Sequence, residues 1–230
     1  RSILMTIAAQ RPLAGVIAAL GNMGRNAAIP RLVAGLSDDF TRHVASAALL
    51  KLGTAARPML IETALRPVPS AAGETATSRR TRWSAIGLLS EIGLTAEQWF
   101  VLKPLTDASD VRLAALACRL ALATNQPLPD REAAVRGLIR LLRSSDWLLT
   151  LQIEGWLAES GDLAVRIINR AVDAGDGLIQ NETVRRSLLR VIAGSAAKNL
   201  ASSSALECRD TSSSRPAGPA TNCPRNRKRA

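Results

Sequence analysis

The chain has 230 residues, a net charge of +11, no Tyr and only two Phe, and its apolar content is carried mostly by Ala, Leu, Ile and Val. That length suits one sizeable core or a short array of repeats and excludes two well-separated large domains. Strong helix formers with few β-branched runs argue against a sheet-based fold and predict an all-α protein. Because Gln10, Arg11 and Pro12 interrupt the N-terminal apolar run, no stretch is expected to reach the roughly 18 residues of a membrane span. A soluble, cytoplasmic, monomeric protein with no membrane partner is therefore expected. The opening Arg and the absence of a charged n-region before SILMTIAA predict a chain shortened at its N-terminus rather than a secretory signal.

In chain order, the first signal is a recurrence: AAIPRL (27–32) returns as AARPML (55–60), about 28 residues later. That period lies in the range of stacked repeats. Reading backwards from Gly24, Gly53 and Gly93, the segments LAGVIAALGNMG, RHVASAALLKLG and RWSAIGLLSEIG share one frame. Val16, Ala45 and Ala85 occupy its first inward place, Leu20, Leu49 and Leu89 its second, and Met23, Leu52 and Ile92 its third. The glycines stand where helix C-caps need a left-handed residue. The frame continues through RLAALACRLALA with Ala115, Leu122 and Ala123, TLQIEGWLAESG with Ile153 and Leu157, and more loosely RRSLLRVIAGSA with Leu188 and Ile192; Arg119 departs from it.

Between these second-type helices lie first-type apolar runs: AAIPRLVAGL, AARPMLIETAL, AEQWFVLKPL, REAAVRGLIRLL and LAVRIINRAV. Their start signals are Thr54, Thr95 with Gln98 as a capping box, and Asp130 after Pro129. Pro30, Pro58 and Pro104 either kink these helices or mark late starts. Arg66 to Arg80, rich in Pro, Ser, Gly and Thr, predicts a loop insertion at the tip of one helix pair.

These motifs resemble the HEAT-repeat family, in the bacterial form grouped with phycobilin-lyase HEAT-like repeats. An A-x-P-x-L first helix, an Asp-containing turn, V-R-x-x-A and a closing L-G are matched by Ala28, Pro30 and Leu32, by Asp38 or Asp39, and by Arg42, Ala45, Leu52 and Gly53. A second match runs through Asp110, Val111, Arg112 and Ala115. The resemblance covers roughly residues 11–196 as five helix pairs plus a leading second-type helix. It implies a right-handed α-solenoid of antiparallel helix pairs, HEAT/armadillo-like, with second-type helices lining the concave side. It also implies an inter-repeat ladder of Arg42, Arg82, Arg112 and Arg185 with Asp39 and Asp110. Thr150 replaces Arg in the fifth segment, so that junction is expected to be weaker or differently bonded.

The array is expected to span 1–198, followed by a disordered Ser, Pro and Arg-rich tail at 199–230 that ends in NRKRA. Residues 197–230 hold seven Lys or Arg against two acidic residues, leaving +6 for the body. Arg136, Arg140 and Arg143 are spaced for one helix face, either a solvated row or a site for an acidic or nucleic-acid partner.

Catalytic chemistry is thin. One His, His43, rules out a paired-His metal site and reads best as a surface residue. Cys118 reads as a core residue, Cys208 and Cys223 as tail residues without a zinc pattern. GNMGRN lacks the Lys of a phosphate loop, and the NET sequon at Asn181 matters only in a secreted protein. No enzyme, cofactor or metal is expected. Each of Trp83, Trp99, Trp147 and Trp156 reads as a gap filler between repeats or, if exposed, a binding hot spot. A concave stripe of His43, Lys51, Trp83, Glu91, Gln152, Trp156 and Glu159 is the expected surface for a protein partner. The expected function is a non-enzymatic scaffold, with a nucleic-acid-binding solenoid and a pigment lyase or chaperone, the last from the resemblance alone, as alternatives.

Overall fold

The computed structural model describes residues 13–71, 73–124, 126–175 and 181–194; the leading residues and the 199–230 tail, with Cys208, Cys223 and the terminal basic run, lie outside them. The fold is all-α. Its helices are Ala14–Asn22 (α1), Ile29–Gly35 (α2), Asp39–Leu52 (α3), Arg57–Leu65 (α4), Ala76–Ile92 (α5), Ala96–Leu102 (α6), Val111–Ala123 (α7), Leu128–Leu141 (α8), Trp147–Glu159 (α9) and Asp162–Asp173 (α10). Residues 182–194 form a further helix, α11. Short 3₁₀ turns occupy Asn26–Ala28, Gly53–Ala56 and Lys103–Asp107. One two-residue antiparallel ladder joins Pro69–Ser70 (β1) to Gly73–Glu74 (β2).

Local chemistry accounts for most boundaries. Gly24, Gly53 and Gly93 adopt φ of +61°, +56° and +83°, a region that costs any residue with a Cβ, and each follows a second-type helix as the sequence spacing predicts. Pro30, Pro58 and Pro104 sit in the first turns of α2, α4 and the Lys103–Asp107 turn, so they mark late starts and not kinks. Asp38, Thr75, Thr95, Asp110 and Asp146 cap their helices through side-chain oxygens, and Thr95 with Gln98 forms the complete capping box.

Four expectations need correction. Thr54 caps nothing: it lies inside a 3₁₀ turn that delivers the chain to Pro58. Asp130 lies in the first turn of α8, after Pro127 at the cap, and its carboxylate faces α6 instead of the helix end. The insertion is shorter than 66–80, because Thr75 starts α5 and residues 76–80 are helical. The run Asp39–Leu65 is also long and apolar enough to cross a membrane by length and composition, with a mean hydropathy of 1.3, contrary to the sequence expectation. Gly53 at φ +56° breaks it into α3 and α4.

The packing is regular along the chain. Second-type helices touch their successors, α1 on α3, α3 on α5, α5 on α7 and α7 on α9. First-type helices do the same, α2 on α4, α4 on α6 and α8 on α10, while α2–α3, α4–α5, α7–α8 and α8–α9 join the two sets. The buried residues form one continuous core from Ile17 to Val191. Ala and Gly at the crossings bring helices close together: a Cβ added to Gly21 would overlap Ala48 Cβ, and one on Gly137 would stand 2.9 Å from Cys118 Sγ. Gly21→Ala is therefore expected to cost about 1–3 kcal/mol through overpacking between α1 and α3, read as a lower urea midpoint at unchanged m. An unchanged midpoint would mean that the two helices separate freely.

Candidate binding surfaces

Polar side chains bridge successive helices, though not by the predicted pairs. Arg42 Nε donates to Leu36 O at 3.1 Å and Arg82 Nε to Ala64 O at 2.8 Å, so both guanidinium groups tie a second-type helix to the end of the helix before it. Arg42 also pairs with Asp39 in its own helix. Arg112 is exposed, with its guanidinium 5.0 Å from the centre of the Trp83 ring. Arg185 is exposed on α11.

Asp39 and Asp110 do link second-type helices, but with other partners: Arg80 Nη1 reaches Asp39 at 3.2 Å and Trp83 Nε1 reaches Asp110 at 3.2 Å. Asp110 Oδ1 meanwhile accepts Leu113 N, so one carboxylate caps α7 and receives the indole. Trp99 likewise donates to a carboxylate, Asp130 Oδ2 at 3.0 Å, although Asp130 does not cap its helix. Arg190 makes a two-point pair with Glu154, at 2.6 and 3.0 Å, between α9 and α11. The Trp83, Trp99 and Arg190 bonds span 27, 31 and 36 residues, so each joins helices well separated in the chain.

Two of these carboxylates titrate below their ordinary range. For Asp130 the Lys103 hydrogen bond is the main cause, helped by Trp99 and opposed by burial. For Glu154 burial pulls upward, but the Arg190 and Ser187 hydrogen bonds together outweigh it. A depressed folded pKa contributes stability above the unfolded value, about 4, and loses it as pH falls through the folded value. Acid titration of the urea midpoint should therefore show a fall below about pH 4 that is shallower in Asp130→Asn and Glu154→Gln. Equal slopes would remove both carboxylates from the interface. Burial pushes the Cys118 thiol up to about 12, which leaves it an inert core residue.

The predicted stripe divides. His43, Lys51, Glu91, Gln152 and Glu159 are exposed on second-type helices. Trp83 is half-buried in the α5–α7 contact, and Trp156 is only 8% exposed with Arg119 stacked 5.2 Å from its ring centre. Both rings therefore act largely between helices, and Trp156 presents little surface to a partner. Trp99 is buried, whereas Trp147, at the exposed start of α9, is 70% accessible. Among the described residues, no three His, Cys, Asp or Glu side chains converge as a metal centre would need.

A further concavity lies between α8 and α10. It is an open groove of about 510 Å³ whose floor is Ile139 and Ile167 and whose walls are Ala133, Ala171 and Ala174. Arg136 and Arg140 from α8 and Arg170 from α10 stand at its rim. The sequence spacing marked Arg136 and Arg140 but put them in a row with Arg143, which does not line the groove. Arg170 was missed because its proximity to α8 exists only after α10 docks; the one local sign was the Arg166 to Arg170 spacing on a strongly amphipathic helix.

Volumes of about 300–1,000 Å³ are usual for ligand sites, and apolar floors with few charged groups are their usual chemistry. Compared with known proteins, the chain matches no family model and no curated protein.

Proposed function

We propose that the chain is a HEAT-like, right-handed α-solenoid that works as a non-enzymatic scaffold, holding a segment of another protein on its surface. The observation that supports this most is the order of packing: most helices pack on the next helix of their own type, and the core extends along the chain. In that arrangement the second-type helices line the concave side, with His43, Lys51, Glu91, Gln152 and Glu159 facing a partner. The first-type helices carry the α8–α10 groove, which takes over the role assigned from sequence to Trp83 and Trp156. A fold of this kind does not dictate a function, so the binding surface carries the assignment.

The test is affinity capture on the full chain followed by calorimetry with each recombinant candidate. A saturable complex with one protein is the expected result. The net charge of +11 favours one other reading, a nucleic-acid-binding solenoid. Duplex DNA binding that falls steeply with salt, with no protein complex, would replace the scaffold by that reading.

A further inference from the structure

The α8–α10 groove combines three features. Its floor and walls are apolar and small, Ile139 and Ile167 below and Ala133, Ala171 and Ala174 beside them, so a backbone can approach closely. Its rim carries three guanidinium groups, two of them one helical turn apart on α8 and the third across the gap on α10. Those charges are weakly compensated. Glu132 is 3.7 Å from Arg136, and Asp107 is 3.4 Å from Arg140 with side chains 58% and 72% exposed for Arg140 and Asp107. The Arg140 pair is exposed on both sides and Arg136 is exposed in its pair, so both contribute little and exchange readily for a better acceptor. Arg170 is exposed.

Resting on the scaffold reading, we propose that this groove binds an acidic amphipathic helix of the partner protein. Apolar side chains at i and i+3 or i+4 of the guest sit on the Ile139–Ile167 floor, and flanking Glu or Asp carboxylates engage Arg136, Arg140 and Arg170. Helix-in-groove recognition uses this spacing of anchors, and charge-assisted bonds from Arg to carboxylate fix the register. The groove is open between two helices and has no tunnel in which an acyl chain would be enclosed, which favours a peptide helix over a lipid tail. Positive charge on both walls disfavours a basic guest, so specificity comes from repulsion as well as attraction.

The probe is a fluorescein-labelled synthetic helix of about 18 residues, with Leu on one face and Glu flanking it, titrated into the full chain by anisotropy. Its twin has Lys for every Glu, and phosphatidylserine vesicles provide the lipid arm. The Glu peptide is expected to bind at least about tenfold tighter than the Lys twin and to weaken with salt. Arg140→Glu with Arg170→Glu should lower its affinity about tenfold or more at unchanged helicity and melting temperature. Ala171→Trp, which fills the groove without changing charge, should do the same. Equal affinity for the two peptides, or binding indifferent to both variants, overturns the proposal. So does vesicle binding that the arginine variants abolish while the Glu peptide fails to bind. A captured partner that binds these variants as well as the parent overturns the groove assignment and leaves the scaffold reading standing, whereas the scaffold reading alone falls if no protein partner is found.

Discussion

Replacing Trp99 by Ala is expected to lower the unfolding free energy by about 3–5 kcal/mol, the range for truncating a large buried aromatic. The side chain is 3% exposed on α6, a helix of only seven residues whose stability depends on packing more than on its own hydrogen bonds. Its indole also donates to Asp130, which accepts Lys103 Nζ at 2.8 Å, so one residue fixes α6 against the start of α8 through an apolar body and a polar tip. Trp99→Phe separates the two: it keeps most of the packing and should cost about 1–2 kcal/mol for the lost bond and the partial cavity. Equilibrium unfolding in urea reads both. If Trp99→Ala costs under about 1 kcal/mol, the ring is a surface group and the assigned α6–α8 contact is wrong.

Arg82→Ala is expected to cost about 3 kcal/mol or more, because it strands a carboxylate that protein has largely removed from water. Arg82 Nη1 lies 2.8 Å from Glu74 Oε2, with side chains 10% and 16% exposed, and Glu74 Oε1 accepts Ser78 Oγ at 2.7 Å. Ser78 Oγ in turn accepts Val68 N at 2.9 Å, so the network holds the β1–β2 hairpin onto α5 while Arg82 Nε holds α4. Replacing both partners with apolar residues, Arg82→Met with Glu74→Leu, should recover much of the loss, since an apolar pair of similar volume carries no desolvation penalty. A double variant as unstable as Arg82→Ala would show that the bonds to Ala64 O and Ser78, and not the ion pair, dominate. Arg112→Ala provides the contrast. Its exposed stacking on Trp83 is expected to contribute only about 0.5–1 kcal/mol, less than a buried ladder bond would give.

The amino-acid sequence alone determined many of the points where the chain stops and restarts, though not those read at Thr54 and Asp130. Gly24, Gly53 and Gly93 had to be positive-φ caps, the prolines had to stand in first turns or kinks, and Thr95 with Gln98 had to open a helix. These are restrictions on a residue's own φ and ψ, or on neighbours within one turn, and they act before any tertiary contact forms. The inward frame foretold the burial of Leu20, Leu49 and Leu89, but its third place is less buried than expected, with Met23 exposed and Leu52 and Ile92 half-buried.

Only the tertiary structure decided which polar partners meet. Arg112 and Trp83 both had the length to reach Asp110; in the folded chain the indole takes the carboxylate and the guanidinium stands over the ring. The same holds for the groove: Arg136 and Arg140 were visible as one face of α8, but Arg170 joins them across the gap that the small side chains of α8 and α10 leave open. Helix spacing and rotation depend on the side chains at every crossing at once, and long flexible Arg and Trp groups amplify small differences in either, so no local rule in the sequence contains them.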